Sequence, residues 1–191
     1  MKPARIDFYT KVHKGLRAAL FDFSRRAAAT DFSEERALGA LRSDLQSLLA
    51  RLSTHARHEA AFIHPLITAK GAHAFDDDHL TLEAEQDALN AVLECIARSD
   101  ARERRQQGQA FYRALNVFIA RYLQHLAREE ELMPLLWERC SDEELGAVMA
   151  RFGASRPVAE ALADIGWMLP ALSAPEQAEL IGGLSAALTR R

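Results

Sequence analysis

The sequence is poor in the features that announce most common functions. It has only two cysteines, Cys95 and Cys140, far apart and in neither a Cys-x-x-Cys nor a zinc-finger spacing. That removes a disulfide framework and a cysteine-rich metal site, and it suits two reduced, partly buried thiols in a cytoplasmic protein. Strand signals are scarce too, with few β-branched runs and no Asn-Gly or Asp-Gly hairpin turn. Positive charge is not in excess: 24 Lys and Arg stand against 27 Asp and Glu, for a net −3, which excludes the electrostatic footprint of a nucleic-acid binder. Arg102, Arg104 and Arg105 are interrupted by Glu103 and read as a solvated turn or helix start. No stretch reaches the roughly 18 apolar residues of a membrane span. The opening MKPARIDFYTKVHKGLRAAL is broken by charges, so no signal peptide is expected. No Gly/Ser-rich linker or low-complexity run divides the 191 residues, which are enough for one domain with a sizeable core.

What the chain does have is helical periodicity. Ile6, Tyr9, His13, Leu16, Leu20 and Phe23 recur at steps of three and four and share one face. Thr30–Ser33 then offers capping side chains, with Glu34 and Glu35 suited to the positive end of a second helix. That helix carries Leu38, Leu41, Leu45, Leu48, Leu52, His55, Glu59, Phe62 and Ile63 inward, and Pro65 should kink or end it. A third, opened by Asp76–Asp78, shows His79, Leu82, Glu83, Gln86, Leu89, Leu93 and Ile96. A fourth shows Phe111, Leu115, Phe118, Tyr122, His125, Glu129 and Leu132. The expected fold is all-α: an up-down-up-down four-helix bundle over residues 1–140 with a short helical extension over 141–191. Ser141–Glu144 and Ser173–Glu176 have capping-box spacing and should each open a short helix, with a third between them. The extension is expected to pack on the bundle or on a partner.

Two stretches carry the chemistry, HARHEAAFIHP at 55–65 and HLAREEELMP at 125–134. Residues four apart on an α-helix differ by only about 40° in azimuth, so each His-x-x-x-Glu pair points one way. The apolar neighbours make that way inward. His13 and His79 lie near the starts of their helices, whereas His55, Glu59, His125 and Glu129 lie toward the ends of theirs. In an antiparallel bundle all six gather at one end. Two carboxylates and four imidazoles facing a core are costly unless something satisfies them. A pair of metal ions would do so, each carboxylate bridging both.

On those residues, and on the acidic-then-proline continuation EEELMP, the chain resembles the hemerythrin-like (HHE) domain proteins over roughly residues 5–140. The resemblance implies a non-haem di-iron centre that meets O₂ or NO. By it, His13 and His55 would bind one iron, His79 and His125 the other, and Glu59 and Glu129 would bridge, with an oxo or hydroxo group between the ions. Manganese or zinc fits the same ligands. The oxygen-carrying hemerythrins place two histidines four apart on the third helix, where this chain has Phe75 and His79, so one imidazole is missing. Two six-coordinate irons then keep two open positions against one in a five-histidine carrier. Glu83, one turn after His79, is a candidate to close one of them.

The remaining candidates are read more plainly. His58 is a rim or outer-layer histidine, and His64 and His73 are non-ligands, His64 because it points away from Glu59 on an α-helix. Glu130 and Glu131 read as a solvated acidic run. Tyr9 and Tyr122, one turn before His13 and His125, are core aromatics, either of which could donate to an iron-bound oxygen species. Phe62 would wall the pocket, and Trp137 and Trp167 would pack under the tail. The expected function is therefore O₂ or NO binding, sensing or iron handling, with a di-iron oxidase or peroxidase acting on O₂ or peroxide as the alternative. The partners are small molecules, with no nucleic acid and no membrane; the apolar run WMLPAL is suited to seal the bundle or to make a homo-oligomer contact.

Overall fold

The structure is a computed structural model that describes residues 5–71 and 76–189, with Asp76, Leu184 and residues 186–189 described by their backbone alone. His73 and Phe75 lie outside the described residues. Every regular element among the described residues is helical: α1 Thr10–Ala29, α2 Glu35–His58, a π-helical turn Glu59–Ile63, α3 His64–Ala69, α4 Asp76–Arg98, α5 Ala101–Glu130, α6 Leu132–Arg139, α7 Asp142–Ala154, α8 Val158–Met168, a 3₁₀ turn Leu169–Ala171 and α9 Ala174–Thr189. None of these helices is long and apolar enough to cross a membrane. The described residues fall into two compact units. One comprises those within Met1–Ala18, His58–Ala74 and Glu129–Arg191, the other those within Ala19–Arg57 and Phe75–Arg128.

The second unit is built from four helical segments whose inner faces follow the sequence periodicity. Leu20, Phe23, Leu38, Leu41, Leu45, Leu48, Leu52, Leu93, Ile96, Phe111 and Leu115 are all buried, and each fully buried side chain of this size contributes roughly 1.5–3 kcal/mol relative to exposure. Polar ties then close a ring around them. Arg26 of α1 pairs with Asp44 of α2, and Arg42 of α2 with Glu94 of α4. Arg121 of α5 pairs with Glu85 of α4, and Ser24 of α1 donates to Asn116 of α5 at 2.8 Å. Such partly exposed pairs add little stability but select which helices are neighbours. Asp100 starts α5 by accepting from the backbone of Arg102 and Glu103. At Gly108 the ring of Phe32 lies so close that a Cβ would sit 2.3 Å from it, so only glycine admits this contact.

The first unit has a smaller apolar core of Tyr9, Ile67, Met133, Leu136, Cys140 and Leu145, with Ile6, Ile63, Leu66 and Trp137 against it. Trp137 donates its indole hydrogen to the Ile6 carbonyl at 2.8 Å, and Arg5 donates to the carbonyls of Trp137 and Cys140. Ser141 opens α7 with a complete capping box to Glu144, and Glu176 accepts from the Ser173 backbone at the start of α9. The tail is held to α1 by Lys14 and Glu176 at 2.6 Å, by Lys11 and Glu179 at 3.1 Å, and by Trp167, which rests on Gly15. The two cysteines are free, Cys140 buried as expected and Cys95 exposed, because its helix turns that position away from the Leu89, Leu93 and Ile96 face.

Candidate metal centre

Asp7 sets the start of α1. Its carboxylate accepts from the backbone of Tyr9 and Thr10 and from the Thr10 hydroxyl, which fixes the phase of the helix and turns Tyr9 and His13 inward. Both are fully buried. His13 Nε2 lies 3.4 Å from a Glu129 oxygen and 4.0 Å from a Glu59 oxygen. Its Nδ1 is 3.0 Å from Glu130 Oε1, which also accepts from Arg17 at 2.6 Å. In the tautomer that donates from Nδ1 to Glu130, Nε2 keeps its lone pair for the site, the arrangement usual for a metal-bound imidazole. Burial opposes the charge on Glu130, but the Arg17 and His13 hydrogen bonds outweigh it and hold its carboxyl below the ordinary value. The sequence suggests a solvated acidic run at Glu130 and Glu131; in the structure Glu130 is half-buried and held by His13 and Arg17, whereas Glu131 is exposed. The signal for this was Arg17, one helical turn after His13.

Glu59 opens the π-helical turn, in which the His64 backbone N–H bonds to the Glu59 carbonyl five residues back. Pro65 explains the widening: it has no N–H to give to the α-ladder and its ring crowds the carbonyl four residues earlier. On an α-helix His64 would lie about 140° from Glu59. The extra residue per turn instead stacks it over Glu59, on the inner face, where it is buried. The expectation that His64 points away is therefore overturned.

Two sets of ligand-capable atoms follow. One atom each from His13, His55, Glu59 and Glu129 lie within 4.8 Å of one another, and so do atoms from Glu59, His64, His79 and Glu129. Both carboxylates belong to both sets. Glu59 is 1% exposed and Glu129 0%, so two like charges sit together out of water, a costly state without a cation. Nitrogen and carboxylate oxygen donors in these numbers suit borderline divalent transition metals. The donor set therefore fits metal binding.

His125 is buried but is in neither set. Its ring lies 4.6 Å from that of His79 and 5.9 Å from that of Tyr122, and its Nδ1 is 3.7 Å from Asp78, which Arg128 holds at 2.7 Å. Glu83 is exposed, which corrects its candidacy as a ligand. The inner face of α4 runs through Leu82, Gln86 and Leu89, the three- and seven-residue steps from His79, and so leaves the four-residue step outside. The half-buried rings of His58 and Phe62 both meet Phe152 of α7, at 5.0 and 5.6 Å. Tyr122 is buried beside Phe118. The Tyr9 hydroxyl is buried with no hydrogen-bond partner among the described residues. Burial, and then the Glu59 and Glu129 charges, push its pKa far up, so the phenol keeps its proton.

Residues 4–136 match the family model described as Hemerythrin HHE cation binding domain. No curated protein and no solved structure matches the chain.

Proposed function

The chain belongs to the hemerythrin HHE cation-binding family, and from that premise we propose that it is a non-haem di-iron protein that binds or senses O₂ or NO, or handles iron, in a four-helix bundle of α1, α2, α4 and α5. The observation that carries this is the pair of buried carboxylates common to two histidine-containing ligand sets. Glu59 and Glu129 would bridge two ions. His13 and His55 would complete one ion, and His79 and His125 would serve the other. The closed ring of polar ties among the four helices supports the bundle. Reduced iron would supply an open coordination position for either diatomic ligand and, for O₂, the electrons that reduce it. The chain's own part is to fix His13 through Glu130 and Arg17, to keep water from the carboxylates, and to hold a proton on Tyr9 Oη.

That Tyr9 proton favours a second reading, a di-iron oxidase or peroxidase, because a buried donor beside the site can serve a reduced oxygen species. One experiment separates the readings. Untagged protein is assayed for metal, reduced without air, and exposed to O₂ or NO while its visible spectrum is followed. About two irons per chain and an absorption that reverses on degassing support the binding protein; irreversible bleaching with peroxide turnover supports the enzyme. Zinc or manganese in place of iron, or no metal, would overturn the di-iron assignment.

A further inference from the structure

We propose that His64 is itself a metal ligand in this chain, brought to the inner face by the π-helical turn and joining His79, Glu59 and Glu129 around the second cation. The proposal rests on the di-iron reading above and extends it to a residue that the His-x-x-x-Glu pattern does not contain.

Several observations meet at this side chain. His64 is buried, whereas Ala60, Ala61 and Pro65 are exposed and Phe62 and Ile63 are half-buried, so over Glu59–Pro65 the fully inward positions are Glu59 and His64. The bond from its N–H to the Glu59 carbonyl fixes it one wide turn beyond a carboxylate of the site. One of its ring nitrogens lies within 4.8 Å of oxygens of both Glu59 and Glu129. A π-helical turn has poorer backbone geometry than the α-helix it interrupts and recurs at functional sites, where it redirects a side chain. A neutral imidazole is also the donor that such a site can accept most cheaply, since the two carboxylates already bring negative charge into a dry interior.

The consequence concerns the number of open positions. With His64 added, five imidazoles, two shared carboxylates and a solvent bridge leave two six-coordinate ions one vacant position instead of two. One vacancy suits the capture of a single diatomic molecule and disfavours chemistry that needs two substrates bound side by side.

The test uses full-length, untagged protein loaded anaerobically with Fe(II). Wild type is expected to hold two irons. His64→Ala should keep one firmly and release the other to a chelator roughly 10–100-fold faster, with free imidazole in the buffer slowing that release again. His58→Ala, which alters a histidine turned toward Phe152, should release iron as wild type does. If His64→Ala fails to fold by circular dichroism, His64→Gln takes its place. The imidazole count from X-ray absorption on wild-type protein reads the same point without a variant, five against four. Wild type that takes up no iron would sink the di-iron reading and this proposal together. Wild type with two irons, beside His64 variants of unchanged iron release and spectrum, would overturn the role of His64 alone.

Discussion

The two compact units fill their interiors differently. The second is a stack of leucine, isoleucine and aromatic side chains, interrupted by His55, Gln86 and His125. The first has a smaller apolar core and buries two carboxylates, with His13 and His64. In the second unit the buried groups stabilise the fold by being there. In the first, Glu59 and Glu129 oppose the fold unless a cation joins them. Burial alone therefore does not say what a residue contributes; the sign depends on whether its charge is met.

Substitutions in each unit put that contrast at risk. Phe111→Ala removes a fully buried ring of the second unit and should cost about 3–5 kcal/mol in chemical unfolding, by the same amount with and without chelator. A loss that depended on metal would break the contrast. Gly108→Ala forces Phe32 off its seat and should cost about 1–3 kcal/mol; an unchanged unfolding midpoint would mean that the loop gives way freely. Glu129→Gln should act in the opposite direction, making the metal-free protein more stable by about 1 kcal/mol while abolishing tight metal retention. Thermal melts in chelator, set beside metal analysis, read both, and a destabilised metal-free variant would contradict the account.

The smallest effect sharpens the contrast from the surface of the first unit. Lys14, and then Ser173, hold the Glu176 carboxyl down at about 2, from an ordinary 4.5. A depressed carboxylate contributes fully above its unfolded value and loses its contribution as pH falls through its folded one. The tail should therefore be unaffected between neutrality and about pH 5 and should loosen from 4.5 toward 2. Backbone hydrogen exchange in α9 measures this; protection that is flat across that window would count against the Lys14 clamp.

Most of the inner face was legible from spacing. His13, His55, Glu59, His125 and Glu129 are all buried at positions that a regular helix assigns inward. Regular spacing misleads where a helix departs from regularity or where two steps compete. Glu83 sits four residues after His79, whereas the buried face of α4 follows threes and sevens. His64 obeys the angles of its π-helical turn and not those of an α-helix. A hint was present in chain length: Glu59 to Pro65 is six positions, whereas Glu129 to Pro134 is five. Superposed on their prolines, the two segments pair His64 with Met133, a core residue of the first unit. The Glu130–His13 bond could not be read from either helix alone, because it joins residues 117 positions apart.

The wide turn after Glu59 also bears on how such chains are compared by eye. A helical wheel drawn at about 100° per residue places His64 on the wrong side of this stretch. One relaxed coil is enough to hide an inward side chain from any tally made at constant pitch.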